Sequence, residues 1–163
     1  PLPRELFEKM LAAKNFQNGL MTLRQIVMSL TDWRLHSRFD AKSAQGQAVL
    51  NVSREIAAEF NVIPQPEISR WINTFSHIFA GGYAAGYYSY KWAEVLSADA
   101  YAAFEEAAKL TGSVLDAKTG KRYRTEILEV GGSRPAAESF KAFRGREPNV
   151  DALLRHGGLS ATA

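Results

Sequence analysis

Apolar residues recur at helical spacing from the start of the chain to Phe60. Three stripes at i, i+3 and i+4 predict a short helix behind Pro3, a long helix from Asn15 to His36, and a third helix that ends before Pro64 and Pro66. The apolar positions of these stripes are Leu6, Phe7, Met10 and Leu11; Phe16, Leu20, Leu23, Ile26, Val27, Leu30 and Trp33; and Val49, Val52, Ile56 and Phe60. The two later prolines favour an extended link after the third helix.

Further helical patterns, separated by glycine and proline, fill the rest of the chain. Residues 68–79 are apolar with little clean period, and Gly81-Gly82 follow them. Helical patterns then cover residues 92–110, 133–143 and 148–156. No stretch of useful length alternates apolar and polar residues as a strand would. The predicted fold class is therefore all-α, a multi-helix bundle with a glycine-rich loop.

The composition is that of an ordinary globular domain. Of the 163 residues, 46% are hydrophobic and 23% are charged, which differs from the composition of disordered chains. The net charge of +3 is spread along the sequence, and its densest basic clusters are the short runs 118–124 and 144–146. Such runs are typical of solvated loops rather than of a nucleic-acid interface, so no nucleic-acid partner is expected.

Residue content excludes several other classes. The chain has no cysteine, which rules out disulfides, thiolate zinc sites and cysteine nucleophiles. No apolar run approaches the ~18 residues of a membrane-spanning helix. Arg4, Glu5, Glu8 and Lys9 stand where a signal peptide would be apolar. We therefore expect a cytoplasmic protein with no membrane partner.

The histidines do not form a recognisable metal motif. The chain contains His36, His77 and His156, and no two of them stand four residues apart as in a helical His-Glu-x-x-His zinc site. No metal ligand is therefore assigned. His36 and His156 fall at predicted helix ends, where a histidine is typically a cap or a surface residue.

Tyrosine is concentrated in residues 83–90, which we call the tyrosine segment. It holds four tyrosines in eight residues, next to Gly81 and Gly82. If this segment were helical, Tyr83, Tyr87 and Tyr90 would share one face. Phenols held at a dry cleft can donate hydrogen bonds to an oxyanion while neutral at pH 7. The pattern therefore permits a catalytic or binding role.

A second interpretation of the tyrosine segment is structural. A helix could pack closely through Ala84, Ala85 and Gly86 and place its tyrosines at a helix–helix contact. The residue pattern alone leaves both interpretations open.

Matching segments from one end of the chain to the other carry a family resemblance. These segments are Leu2-Pro3, 8–17, 77–90, 91–100, 131–133 and 143–148. Through them the chain strongly resembles the zinc metallopeptidase family of thimet oligopeptidase and dipeptidyl carboxypeptidase, in its oligopeptidase A branch. The resemblance implies that residues 1–163 are a C-terminal helical fragment of a larger peptidase catalytic domain.

The family's zinc motif and its third zinc ligand, a glutamate, lie upstream of the matched part. The resemblance thus implies a full-length parent that binds zinc and hydrolyses short peptides. This fragment, in contrast, is expected to bind no zinc and to be inactive alone. Its expected partners are short peptide substrates and the missing N-terminal part of the same enzyme.

The resemblance also implies roles for individual residues. Tyr90 matches the tyrosine that hydrogen-bonds the tetrahedral intermediate, and His77 matches the histidine before the glycine loop, so both are expected to be catalytic. The expected substrate-binding residues are Gly81, Gly82, Tyr83 and Tyr87. Arg144 and Arg146 also match, but their setting predicts a loop tied by ion pairs.

The alternative function is a non-catalytic helical interaction module. Its aromatic segment would bind a partner helix or peptide, and the missing metal motif is the observation in its favour.

Overall fold

The computed structural model describes residues 2–160, and within them the regular structure is helical. The seven α-helices are α1 (Arg4–Ala13), α2 (Asn18–Ser37), α3 (Ala48–Phe60), α4 (Ser89–Thr111), α5 (Ala117–Tyr123), α6 (Ala136–Arg144) and α7 (Asp151–His156). Two 3-10 helices, Trp71–Thr74 and Ser76–Ile78, and one π-helix, Arg124–Leu128, complete the set. No strand occurs in the described range, so the all-α prediction is confirmed.

The described residues form two compact units, 2–91 and 92–160. The division falls in the first turn of α4. Among residues 2–160, no helix combines the length and the apolar character that crossing a bilayer requires.

In the first unit, α2 packs against α3 and the 3-10 helices cover the same core. One cluster of buried side chains consists of Ile72, Phe75, Ile78 and Tyr87, and a second consists of Val27, Ile56 and Ala57. Trp71 packs against both clusters. The apolar stripes of α2 and α3 are thus buried together, and they form the base on which the segment after Phe75 lies.

The second unit has an aromatic core. Phe143 of α6 is buried and its ring contacts those of Phe104 and Tyr123, with centroid separations of 6.3 and 5.4 Å. The Arg122 guanidinium lies 5.2 Å from the centroid of the Phe143 ring. These contacts join α4, α5 and α6 around one side chain.

A second buried feature of this unit is the carboxylate of Asp99, which is fully buried in α4. Arg144 Nε donates to it at 3.1 Å, Arg146 Nη1 at 2.7 Å and the Asn149 N–H at 3.0 Å. Burial raises the pKa of Asp99, but the hydrogen bonds from Arg146 and Asn149 and the charges of both arginines outweigh it and leave the pKa below its ordinary value. We call these groups the Asp99 centre, and they confirm the prediction of a loop tied by ion pairs.

Two other predictions are wrong, and in each place a carboxylate binds a backbone N–H. The last helix begins at Asp151 rather than at Pro148, because the Asn149 N–H bonds Asp99 and its side chain accepts from the Asp151 N–H. The basic run 118–124 is not a loop. It lies largely on α5, which Asp116 caps by accepting from the Thr119 N–H at 2.7 Å.

Removing the Asp99 carboxylate should destabilise the second unit strongly. In Asp99→Ala, Arg144, whose side chain is 4% exposed, keeps its pair with Glu106, but Arg144, Arg146 and the Asn149 N–H all lose the buried acceptor that joins them. Removing one partner of a buried ionic group in this way costs about 3–5 kcal/mol at most. Urea unfolding followed by helical circular dichroism measures the loss.

The matched control is Glu147→Ala, which breaks the exposed pair with Lys141. We expect a loss below about 1 kcal/mol there. Equal losses in the two variants would contradict a stabilising role for the Asp99 centre.

Candidate functional site

The glycine loop, Gly81-Gly82, follows directly from the 3-10 helix Ser76–Ile78. The Ser76 carbonyl accepts from the N–H groups of Ala80 and Gly81 at 3.0 and 2.9 Å, and the Tyr83 N–H donates to the His77 carbonyl at 3.0 Å. The backbone at Gly81 passes so close to His77 that an added Cβ would lie 2.7 Å from the His77 Cα. Gly82 has φ +79°, in the left-handed region. Each glycine therefore meets a separate backbone requirement.

The tyrosine segment is not a helix over most of its length. Residues 84–88 form turns, Ala85 has φ 53°, and α4 begins only at Ser89. The condition under which Tyr83, Tyr87 and Tyr90 would share one face of a helix is therefore not met. The alternative of a helix packed through Ala84, Ala85 and Gly86 fails for the same reason.

The physical reason is a buried carboxylate on α2. Asp32 is 1% exposed, and its two oxygens accept from the N–H groups of Ala85 and Tyr87, each at 2.9 Å. His36, one turn further along α2, places Nδ1 2.8 Å from Asp32 Oδ1. The carboxylate gives the Ala85 and Tyr87 N–H groups the acceptor that a helix would otherwise supply, so this backbone needs no helical hydrogen bonds there.

Although the segment is not helical, the rings of Tyr83, Tyr87 and Tyr90 lie together. The Tyr83 and Tyr90 rings stack with centroids 5.0 Å apart, and Tyr87 meets Tyr90 at 5.2 Å. The His77 ring lies 6.1 Å from that of Tyr83 and 6.0 Å from that of Tyr87. Tyr88 is separate and contacts Trp33 edge-on. We call His77, Tyr83, Tyr87 and Tyr90 the aromatic cluster.

The members of the aromatic cluster differ in exposure. His77 and the glycine loop are exposed, Tyr83 is half-buried, and Tyr90 is 41% exposed. Tyr87 is 7% exposed, belongs to the core, and donates from its hydroxyl to Gln25 Oε1 at 3.1 Å. The cluster therefore has a buried side at Tyr87 and an accessible side at Tyr90.

The phenol groups of Tyr87 and Tyr90 are both held in the neutral form. Burial raises the pKa of Tyr87 above its ordinary value of 10.0, with an opposing contribution from Arg24. The hydrogen bond between Tyr90 and Tyr83 raises the pKa of Tyr90, with smaller contributions from desolvation and from the neighbouring phenols. At pH 7 both hydroxyls are therefore protonated. Tyr87 donates its proton to Gln25, and the Tyr90 hydroxyl, on the accessible side, is hydrogen-bonded to Tyr83.

Analysis of the sequence missed Asp32 and Gln25. A signal for Asp32 existed, because it lies four residues after Met28 and three before Leu35, and both of those side chains pack against the core. An acidic residue on an apolar helix face is buried and must find donors. The sequence contains no comparable signal for Gln25.

The remaining two histidines lie near helix ends, as expected. His36 is in the last turn of α2, with its ring 5.9 Å from that of Phe79. His156 is in the last turn of α7, and its Nε2 lies 3.0 Å from Glu105 Oε1. Within residues 2–160, no group of three or more histidine and carboxylate side chains is arranged to hold a metal ion.

Comparison with known families decides the relationship. The model described as "Peptidase family M3" matches residues 1–159. The chain belongs to peptidase family M3. The resemblance noted in the sequence is therefore confirmed at the level of the family.

Curated proteins similar to this M3 chain include oligopeptidase A of Salmonella typhimurium, which is 50% identical over 98% of the chain and 22% of its own length. Probable cytosolic oligopeptidase A of Arabidopsis thaliana is 45% identical over 99% of the chain and 23% of its own length. Dipeptidyl carboxypeptidase of Salmonella typhimurium is 34% identical over 97% of the chain and 22% of its own length. The M3 chain thus spans about a fifth of the length of these relatives.

The close approach at Gly81 generates a prediction. In Gly81→Ala the new methyl meets the His77 Cα at 2.7 Å and its carbonyl oxygen at 2.9 Å, so the backbone must move. We expect a loss of about 1–3 kcal/mol and faster hydrogen exchange at the Tyr83 amide, which NMR measures residue by residue.

Gly86→Ala is the control, since its Cβ would make an ordinary contact of 3.5 Å with the Tyr83 carbonyl oxygen. Its effect should stay within about 0.5 kcal/mol. Unchanged exchange in Gly81→Ala would show that the loop accommodates a side chain.

Proposed function

We propose that this chain is the C-terminal part of the catalytic domain of a zinc-dependent oligopeptidase that hydrolyses short peptides. Its membership of peptidase family M3 and the oligopeptidase A names of its relatives support the reaction class. Coverage of about a fifth of those relatives supports its being one part of a longer protein. The observation that carries the proposal is the aromatic cluster, whose accessible side at Tyr90 lies beside the glycine loop.

Tyr90 is proposed to donate a hydrogen bond to the tetrahedral intermediate. Hydrolysis of a peptide bond places negative charge on the former carbonyl oxygen, and a fixed donor near that oxygen lowers the barrier. Tyr90 is the most exposed tyrosine of the aromatic cluster, and the hydrogen bond with Tyr83 raises its pKa further, so its hydroxyl is protonated at pH 7. Tyr83 stacks on it and restricts its movement.

The neighbouring groups are proposed to hold the peptide. Exposed backbone at Gly81 and Gly82 allows a substrate main chain to approach closely. Tyr83 and His77 present apolar ring surface and polar edges beside that backbone. Tyr87 is 7% exposed, so its substrate contact is limited to that accessible part, and most of its ring supports Tyr90.

The zinc ion of the proposed enzyme does not fit the residues described here. Within residues 2–160 no set of histidine and carboxylate side chains can hold a metal. The proposal therefore assigns zinc binding to the part of the longer protein that the relatives contain beyond the matched region. That part and short peptides are the proposed partners, and the location is proposed to be cytoplasmic, as the name of one Arabidopsis relative states for that protein.

The role of Tyr90 is tested in the full-length protein with Tyr90→Phe. Loss of the hydroxyl should lower kcat by about 10²–10³-fold and leave KM nearly unchanged, because the ring that contacts the peptide is retained. Cleavage of a quenched fluorescent peptide gives both constants.

Tyr88→Phe is the matched control for that substitution. Tyr88 lies in the same segment, is 52% exposed and contacts Trp33 outside the aromatic cluster. We expect its kcat to equal that of the unsubstituted protein. Equal rates for Tyr90→Phe and the unsubstituted protein would remove Tyr90 from the proposed mechanism.

The second test uses the 163-residue chain alone. We expect it to bind no stoichiometric zinc and to leave the fluorescent peptide intact, whereas the full-length protein is expected to bind zinc and to cleave the peptide. Metal analysis after dialysis and the same peptide assay measure this. Bound zinc with turnover in the isolated chain would contradict the proposal, and a full-length protein without peptidase activity would favour the interaction module.

A further inference from the structure

We infer that Asp32, assisted by His36, is a positioning residue for Tyr90, an inference that rests on the function proposed above. Asp32 does not belong to the aromatic cluster, and it acts through the backbone of the tyrosine segment.

The connection from Asp32 to Tyr90 is short and continuous. The carboxylate holds the Ala85 and Tyr87 N–H groups at 2.9 Å from inside the first unit. The Tyr90 N–H then donates to the Tyr87 carbonyl at 3.3 Å, and the two rings are in contact. The placement of Tyr90 therefore depends on the Tyr87 backbone, and that backbone depends on Asp32.

His36 extends this support to the other side of the glycine loop. Its Nδ1 lies 2.8 Å from Asp32 Oδ1 and 3.0 Å from the Asp32 carbonyl oxygen. Since both partners accept, Nδ1 carries the proton. The same ring contacts Phe79, which precedes the loop, while Asp32 holds the residues that follow it. One turn of α2 thus supports both ends of residues 79–87.

The geometry of Ala85 indicates that this arrangement is imposed by the carboxylate. Ala85 has φ 53°, a left-handed conformation that residues with a side chain rarely adopt. Asp32 Oδ1 accepts from the N–H of this same residue. A backbone held away from its ordinary conformation is expected to relax once its hydrogen-bond partner is lost.

The test is Asp32→Asn in the full-length protein. The amide keeps the size of the side chain, but it can accept from one backbone N–H and turns its own NH₂ toward the other. Displacement of a catalytic group by about 1 Å lowers the rate about 10²-fold, so we expect a fall in kcat of that order. Because the substitution removes none of the side chains proposed to contact the peptide, KM should change by less than about 3-fold.

The matched control is Thr31→Val. Thr31 is as buried as Asp32 and is its neighbour on α2, but its Oγ1 donates to the Val27 carbonyl within the helix rather than to the tyrosine segment. This substitution tests whether perturbing buried α2 is sufficient to lower kcat. We expect its kcat, per folded molecule, to match that of the unsubstituted protein.

A double-mutant cycle separates positioning from loss of stability. If Asp32 acts through Tyr90, Asp32→Asn adds less than about 3-fold to the defect of Tyr90→Phe, because the effects of residues acting as a unit are not additive. Multiplication of the two defects would overturn the inference, as would an equal loss in Thr31→Val.

Two measurements cover the remaining outcomes. If Asp32→Asn does not fold, His36→Ala takes its place, with an expected fall in kcat of about 10-fold that again disappears in the Tyr90→Phe background. If the unsubstituted full-length protein cleaves no peptide, the proposed function fails. Positioning is then judged by NMR, where a changed Tyr90 ring environment in Asp32→Asn supports it and an unchanged one overturns it.

Discussion

The shape of the candidate site depends on one buried carboxylate. Asp32 places a carboxyl group where water does not reach, and such a buried polar group is tolerable only when hydrogen-bond partners surround it. The donors are two backbone N–H groups of the tyrosine segment and the ring of His36. Because these donors must face the carboxylate, residues 84–88 cannot be helical, and α4 cannot begin before Ser89. The start of α4, and with it Tyr90, follows from that requirement.

Residue periodicity predicted the long helices well, because the apolar stripe that each of α2, α3 and α4 carries is a local property of the sequence. It did not predict the turns of the tyrosine segment or the start of α7. In both places a carboxylate distant in sequence, Asp32 or Asp99, binds a backbone N–H and competes with helix formation. No window of neighbouring residues contains that information.

The candidate site could be predicted from the sequence only in part, because composition is local and the contacts that shape the site are not. The density of tyrosine and glycine marks the segment by composition, and the family resemblance suggests roles for its members. The sequence placed Tyr83, Tyr87 and Tyr90 on one face only if the segment were helical, and their proximity arises instead from turns that bring the same rings together. Asp32 and Gln25 contribute through contacts with residues more than fifty positions away, which composition does not reveal.

The Asp99 centre has a consequence for the order of folding. Its carboxylate binds groups 45 to 50 residues further along the chain, whereas the helices between them are held by backbone hydrogen bonds between residues four apart. Closing a loop of that length is opposed by chain entropy, so contacts of this kind slow a folding reaction. Helices α5 and α6 can therefore form early, while the segment 144–149 reaches Asp99 late. The arginines of that segment then contribute more to how slowly the unit opens than to how fast it assembles.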